Sequence, residues 1–386
     1  MDRLSKVCRE FKNERLDFAL VSTHENVAYL SGLNTPLPVT YPTETPLAFP
    51  LSMVLVNVRE ESATLLAVDG LRDLAARQCI LSQKDFFAPG AEFEKPQKEM
   101  SYLNSIRKAS AGWGANAAHA RVGVEAKALP PMIYDWIRDA FDGIEIADAT
   151  PALERSRKIK TTKEVLALQH AARVGDAAQT ALVRASKEHG RNEFEVWTEI
   201  LQAIYFAAGE IVPAFGELVT GPRTNEVHYP GGPRNRVIGR GDTGILDISM
   251  RVDGYWSDCC NTVVFGDDPS IEQKKYMQAS KDCLDAALDA IRPSIRCCEV
   301  SEAINRVYAR YRMKPPQYYG HQIGVVVNEH PRITPSDPTA VEAGMVFCIE
   351  PGAYAGAAGI TGARVEKMVL VTENGPEILH RFPWGF

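Results

Sequence analysis

The sequence predicts an α+β protein with two domains, a smaller N-terminal α/β domain over residues 1–155 and a larger C-terminal domain over residues 156–386. Helical and strand patterns alternate through the first domain, whereas two helix-helix-strand-strand blocks follow one another in the second. The chain has 386 residues, of which 45% are hydrophobic and 24% are charged. This composition is ordinary for a globular protein with enough apolar side chains for both cores.

Hydrophobic periodicity predicts the elements of the N-terminal domain. Leu4, Val7 and Phe11 lie on one face of a predicted helix, and the apolar runs DFALVS, SMVLVNV, ATLLAV and RVGVE predict strands. A polar, basic segment, ALERSRKIK, then marks the domain boundary. The C-terminal domain begins with a helix for which Thr161 and Glu164 predict a capping box.

The C-terminal domain repeats one order of elements. Helices near residues 162–188 and 193–209 precede strands at AFGELVTG and in a hairpin; helices near 271–291 and 299–312 precede His321 and strands at MVFCIEPG and GARVEKMVLVTENG. A duplication of this kind would place Glu350 and Glu366 of the second block opposite the acidic pair of the first. Sequence identity between the blocks is too weak to prove the repeat.

The hairpin of the first block brings two carboxylates together. Asp253 and Gly254 form the two-residue turn, which sets Asp258 opposite Ser249 and makes Asp258 a diagonal neighbour of Asp247. Cβ atoms in diagonal positions lie roughly 7–8 Å apart or less. Two buried anions this close would raise each other's pKa, so a metal ion between them is one explanation. In the alternative explanation, one of the two Asp side chains faces solvent and the second caps a bulge.

Charge and hydropathy exclude several classes of partner. A net charge of −6, a pI near 5.8 and the lack of a long basic run argue against nucleic acid and anionic membranes. The charged N-terminus lacks the apolar region of a secretory signal, and the longest apolar stretch, residues 51–58, is too short to span a membrane. We therefore expect a cytoplasmic protein, in which the eight cysteines are reduced and serve packing.

Five short motifs occur in a fixed order in the C-terminal domain. Asp247 lies eleven residues before Asp258, which ends GYWSD; His321 lies in GHQIG, Glu350 in EPGAY and Glu366 in RVE. In these motifs the sequence resembles the pita-bread metallopeptidases of peptidase family M24, which include methionine aminopeptidase, aminopeptidase P, prolidase and creatinase. The resemblance covers roughly residues 155–386 and implies a C-terminal pita-bread catalytic domain. The N-terminal domain resembles the creatinase-like domain in its α/β character and in NVAYLSGL.

Four carboxylates and one imidazole make an oxygen-rich site that suits Mn²⁺, Co²⁺ or Zn²⁺ and can hold two ions. The resemblance implies two ions, Mn²⁺ foremost. Asp247 would bind one ion, His321 and Glu350 the other, and Asp258 and Glu366 both. A hydroxide activated by the two metals would attack the substrate carbonyl, and Glu350 would carry the proton to the leaving nitrogen.

The resemblance also assigns residues around the metals. Arg364 and Tyr354 match positions that orient a metal-binding Asp, and His228 matches a substrate-facing His. Alternatively, Arg364 is an ordinary ion-pair partner, Tyr354 a core aromatic and His228 a loop residue. One position departs from the family pattern. Asn328, seven residues after His321, stands where the family usually has a second substrate-contacting His, and His330 would replace that His if the backbone bulges.

These features favour a metal-dependent hydrolase that cleaves Xaa-Pro bonds in dipeptides or at peptide N-termini. Asn328 keeps a second hypothesis open, a metal-dependent enzyme that acts on a non-peptide small molecule, as creatinase, ectoine hydrolase and dimethylsulfoniopropionate lyase do. A non-catalytic binding homologue is the third, although such relatives usually lose ligands first. The resemblance implies a homodimer. The Pro-rich segment 34–50 is either a loop that reaches a pocket or a surface loop without such a role.

Overall fold

A computed structural model of the chain describes residues 2–35, 51–87, 95–111, 119–140, 143–227, 231–357 and 359–386. The chain divides into two compact units, Met1–Arg157 and Lys158–Phe386. The sequence-based boundary, between residues 155 and 156, lies two residues earlier and within the basic segment ALERSRKIK. Within the described residues, no helix combines the length and the apolar character that crossing a bilayer requires.

The N-terminal unit contains a six-stranded sheet with the order β4-β3-β2-β1-β5-β6. Its strands are β1 Phe18–Val21, β2 Ser52–Asn57, β3 Ser62–Val68, β4 Gln83–Phe87, β5 Arg121–Val124 and β6 Glu145–Asp148. Its helices are α1 Arg3–Asn13, α2 His24–Ser31, α3 Arg72–Gln78, α4 Lys95–Ser110, α5 Pro131–Ala140 and α6 Thr150–Lys158. The sequence predicted the four apolar strands and missed β4 and β6, because these two edge strands are largely polar and mostly not buried.

The C-terminal unit contains four described helices, all of them predicted. They are α7 Thr162–Ala185, α8 Glu193–Ala208, α9 Ile271–Ala290 and α10 Cys297–Tyr311. The first begins with the predicted capping box, in which the Thr161 side chain accepts from the Glu164 backbone and the Glu164 side chain accepts from the Thr161 backbone.

The strands of this unit form one three-stranded, one five-stranded and one two-stranded sheet, with the orders β7-β8-β9, β11-β10-β12-β15-β16 and β13-β14. The first five are β7 Ala214–Thr220, β8 Thr243–Val252, β9 Tyr255–Val264, β10 Gly320–Gln322 and β11 Glu329–Arg332. The others are β12 Val346–Ile349, β13 Gly352–Tyr354, β14 Gly362–Arg364, β15 Lys367–Thr372 and β16 Gly375–Ile378.

The hairpin formed by β8 and β9 has the predicted turn and register. Asp253 and Gly254 have φ angles of 50° and 82°, the positive values that a type I′ turn requires. Asp258 pairs with Ser249, as the two-residue turn dictates. Asp247 and Asp258 are therefore diagonal neighbours on adjacent strands.

Each helix pair covers one face of one sheet. Leu246 and Ile248 of β8 pack in one core with α7 and α8, and Phe347 and Ile349 of β12 pack in a second core with α9 and α10. Successive side chains of a strand point to opposite faces, so the residues between these apolar positions lie on the faces turned away from the helices. A backbone bridge between Cys260 and Glu366 joins the two sets of strands at those faces.

Candidate metal centre

Strand alternation brings the five predicted ligands to one place. Asp247 lies between Leu246 and Ile248 on β8, on the face opposite the helices, and Asp258 lies beside it on β9. His321 on β10 is paired with Cys348 of β12, and Glu350 follows β12 directly. Glu366 follows β14, where its backbone N–H donates to the carbonyl of Cys260 over 2.9 Å.

The ligand atoms form two overlapping groups. In the first, atoms of Asp258, His321, Cys348 and Glu366 all lie within 4.8 Å of one another; in the second, atoms of Asp247, Glu350 and Glu366 do. Glu366 belongs to both groups, as a carboxylate that bridges two ions must. The structure therefore brings together all five residues that the motifs named.

His321 presents one nitrogen to the carboxylates. Its Nδ1 lies 2.8 Å from the backbone oxygen of Gln322, which can only accept, so Nδ1 carries the proton in the neutral ring. Its Nε2 lies 3.7 Å from Asp258 Oδ2 and 3.6 Å from Glu350 Oε1. The lone pair of Nε2 is thus directed into the site, which is the arrangement of a metal-binding imidazole.

Arg364 holds Asp247 in place from the side. Its NH2 lies 2.7 Å from Asp247 Oδ2 and 2.5 Å from Glu217 Oε2, and its NH1 donates to the Tyr354 hydroxyl over 2.9 Å. Tyr354 therefore orients Asp247 through Arg364. Glu217 lies on β7 directly opposite Asp247, and its charge balances that of the guanidinium.

Burial and mutual repulsion keep protons on these carboxyl groups when no cation is present. Burial is the largest cause that raises the pKa of Asp247, to about 8, and the charges of Asp258 and Glu350 add to it. Burial also raises the pKa of Glu350, and burial together with Asp258 and Asp247 raises that of Glu366 far above its ordinary value. Carboxylates arranged in this way are stable as anions only beside positive charge.

The donor set fits divalent metal ions. Both oxygens of Glu366 are buried and have no hydrogen-bond partner, so a cation would supply the interaction that the protein does not. Asp247, Asp258, His321, Glu350 and Glu366 would hold the ions. Divalent ions bound there supply Lewis-acid polarisation of a carbonyl and activation of a water near neutral pH.

Comparison with known families agrees with this chemistry. The model of metallopeptidase family M24 matches residues 167–373, and that of the creatinase/prolidase N-terminal domain matches residues 3–159. The chain belongs to metallopeptidase family M24. It is therefore a metallopeptidase, and the residues described above would hold the family's divalent ions.

Two sequence relatives and one solved structure match most of this M24 chain. It is 25% identical to the Xaa-Pro dipeptidase of Pyrococcus horikoshii over 98% of this chain and 96% of the relative. It is 33% identical to the probable dipeptidase PepE of Mycobacterium bovis over 66% of this chain and 67% of the relative. The crystal structure of the prolidase from Pyrococcus horikoshii superposes with a TM-score of 0.76 at 23% identity, covering 99% of both chains. The expected pita-bread fold is confirmed.

The three substrate-side residues named from the sequence have different positions in this M24 chain. Asn328 and His330 are both exposed. Burial raises the pKa of Asp337. Hydrogen bonds from Thr339 and Arg332 and the charge of His330 outweigh burial, so the pKa of Asp337 is lowered. His228 lies outside the described residues, as do residues 36–50 of the Pro-rich segment. Their roles stay predictions.

Three residues near the M24 ligands escaped the sequence reasoning. Glu217 lies opposite Asp247 because β7 pairs antiparallel with β8, and a register argument for β7 would have placed it there. Cys348 lies two residues before Glu350 and so shares its face of the chain; the sequence reasoning had assigned it to packing. Tyr318 lies beside the ring of His321 and has no signal in the motif spacing.

Proposed function

We propose that this protein is a metal-dependent hydrolase that cleaves Xaa-Pro bonds in dipeptides or at the N-termini of short peptides. The convergence of four carboxylates and His321, with Glu366 in both ligand groups, carries the proposal. A binding homologue without catalysis would have no need for the complete set of ligands. The dipeptidase names of the two sequence relatives support a peptide substrate.

Each residue of the site has a task in this reaction. Arg364 fixes the carboxylate of Asp247, and the Gln322 carbonyl fixes the ring of His321. Glu350 accepts the proton of the attacking water and returns it to the leaving nitrogen.

The finer features of the proposal rest on the sequence and the donor set. We propose Mn²⁺ as the ion, because oxygen ligands dominate the site, with Co²⁺ or Zn²⁺ as alternatives. We also propose a cytoplasmic homodimer that acts on small peptides and binds neither nucleic acid nor membranes, in line with the net charge of −6. Light scattering coupled to size-exclusion chromatography would test the homodimer.

One observation favours a second candidate, a metal-dependent reaction on a non-peptide small molecule. Asn328 replaces the His that usually contacts the substrate in this family, and its amide is already engaged by Arg332 and Tyr318. A site altered in this way has lost one ionisable group for recognising a peptide.

The decisive experiment is a substrate panel on protein freed of metal by chelation and reloaded with Mn²⁺. Xaa-Pro dipeptides are paired with Xaa-Ala dipeptides of the same first residue, and Xaa-Pro tripeptides test the length preference. We expect cleavage of the Xaa-Pro members only and its loss on renewed chelation. A fully loaded protein that cleaves none of them would refute the proposal and leave the non-peptide reaction.

The variant Glu350→Gln tests the assigned chemistry. Gln keeps the shape and one oxygen ligand but cannot accept the proton, so kcat should fall by roughly 10²–10⁴-fold with the fold intact. Glu377→Gln makes the same change at an exposed position of β16 and should leave kcat unchanged. An effect of Glu350→Gln on KM alone would show that Glu350 does not transfer a proton.

A further inference from the structure

A chain of hydrogen bonds leads from the surface of the C-terminal unit toward Glu350. Arg332 Nε donates to Asn328 Oδ1 over 3.0 Å, and Asn328 Nδ2 donates to the Tyr318 hydroxyl over 3.0 Å. The ring of Tyr318 lies beside that of His321, whose Nε2 is 3.6 Å from Glu350 Oε1. Asn328 is exposed and Tyr318 is half-buried, so the chain runs from solvent toward the metal ligands.

The donors of this chain all point the same way. The guanidinium of Arg332 can only donate, so the amide oxygen of Asn328 must face it and the amide nitrogen must face Tyr318. The Tyr318 oxygen then accepts from Asn328, and its single proton is left for an acceptor elsewhere. After burial, the charge of Glu350 does most to raise the pKa of the Tyr318 hydroxyl, so this carboxylate lies near enough to be that acceptor.

The ring of Tyr318 is fixed as well as its hydroxyl. It lies nearly parallel to the ring of His321, with 6.3 Å between the centroids and 19° between the planes. Tyr318 is thus held at two points, by His321 through its ring and by Asn328 through its hydroxyl. A side chain held at both points can keep the Glu350 carboxylate in one orientation.

We infer that Tyr318 is a positioning residue for Glu350, and that Asn328, held by Arg332, sets the direction of the Tyr318 hydroxyl. The inference rests on the proposed function, because it serves the proton transfer assigned to Glu350. It also gives the departure at position 328 a physical reason. Asn is suited to this place because it accepts from Arg332 with one atom and donates to Tyr318 with the other.

The variant Asn328→Asp changes the direction of the hydrogen bond at position 328 without changing the size of the side chain. Asn328→Asp keeps the shape and the bond to Arg332, but a carboxylate can only accept, so the Tyr318 proton would turn from Glu350 toward residue 328. Asn374→Asp introduces the same charge at an exposed turn and serves as the control. Tyr318→Phe removes the hydroxyl and keeps the ring beside His321.

We expect Tyr318→Phe and Asn328→Asp each to lower kcat on an Xaa-Pro dipeptide by about 10-fold, the range for residues that orient a ligand, with little change in KM. In the Tyr318→Phe protein, Asn328→Asp should cause no further loss, because the hydroxyl it redirects is gone. Wild-type kcat in Asn328→Asp, or losses that multiply in the double variant, would overturn the inference.

Urea unfolding of metal-free protein tests the chain without any substrate. Tyr318→Phe and Asn328→Ala break the same hydrogen bond, so the shift of the urea midpoint in the double variant should be smaller than the sum of the two single shifts. Additive shifts would show that the two side chains do not interact. If the wild type cleaves no Xaa-Pro substrate despite full metal content, the proposed function fails, while additive shifts in this measurement would still overturn the inference on their own.

Discussion

Metal binding should release protons from this site, because the metal-free protein keeps several of its carboxyl groups protonated. A carboxylate binds a metal ion only after it has lost its proton. Burial and neighbouring charges raise the pKa of Asp247 to about 8, and they raise the pKa values of Glu350 and Glu366 in the same direction. Loading the site is therefore an exchange of protons for metal ions.

The pKa of Asp247 sets the lower limit of this release. A group with a pKa near 8 is protonated in roughly nine-tenths of molecules at pH 7, so Asp247 alone gives up nearly one proton. Burial and neighbouring charges raise the pKa of Glu366 well above its ordinary value, so Glu366 adds to it and more than one proton should be released at pH 7. For each proton released, the apparent affinity should weaken about tenfold per unit fall in pH.

Titration calorimetry measures the released protons directly. Metal-free protein is titrated with Mn²⁺ at pH 7 in buffers of different ionisation enthalpy. The slope of the observed enthalpy against the ionisation enthalpy, with its sign reversed, is the number of protons taken up by the buffer. Glu217→Gln is a matched variant that leaves all five ligands in place. The charge of Glu217 raises the pKa of Asp247, so its removal should reduce the number of protons released.

A slope near zero at pH 7 would refute the reasoning, because it would mean that the carboxyl groups are already ionised in the metal-free site. A number of protons that grows between pH 7 and pH 9 would contradict the assignment equally, since groups with raised pKa values lose their protons to water in that interval.

Two further substitutions test the site and its support. Glu366→Ala should abolish both metal binding and activity, because Glu366 lies in both ligand groups; full activity in this variant or in chelated protein, with metal content measured by atomic emission, would disprove the metal mechanism. Asp176→Asn should lower the free energy of unfolding at pH 7 by about 2 kcal/mol, because Asp176 accepts hydrogen bonds from His380 and from the backbone of Arg381. Burial raises the pKa of Asp176, but these bonds outweigh burial and bring the pKa below 3.8. The difference in free energy of unfolding between wild type and Asp176→Asn, measured with urea, should therefore be complete above about pH 5 and shrink as the pH falls through the lowered pKa.

The ligands could be predicted from the sequence because their positions depend on local rules. A two-residue turn fixes the register of β8 and β9, and that register alone makes Asp247 and Asp258 neighbours. Alternation along β12 then places Glu350 on the face opposite the apolar core. The family motifs then identified the carboxylates of the second block, Glu350 and Glu366, that join Asp247 and Asp258.

The side chains that support the ligands could not be predicted in the same way. Tyr318 lies in an irregular segment before β10, and its contact with Asn328 depends on how that segment and the start of β11 approach each other. No periodicity relates two such residues ten positions apart. The sequence showed that position 328 had changed, but only the contacts of Asn328 show what the amide does there.

The charges around the site support the proposal that it holds two metal ions. Ionised Asp247, Asp258, Glu350 and Glu366 contribute four negative charges. The positive charge of Arg364, 2.7 Å from Asp247, would remove one of them if it stood alone, but Glu217 lies 2.5 Å from the same guanidinium and cancels it. Two divalent cations then neutralise the four ligands, whereas a single cation would leave two buried negative charges without partners. Protons fill that role in the metal-free protein, which is why loading the site with metal and emptying it of protons are expected to be one event.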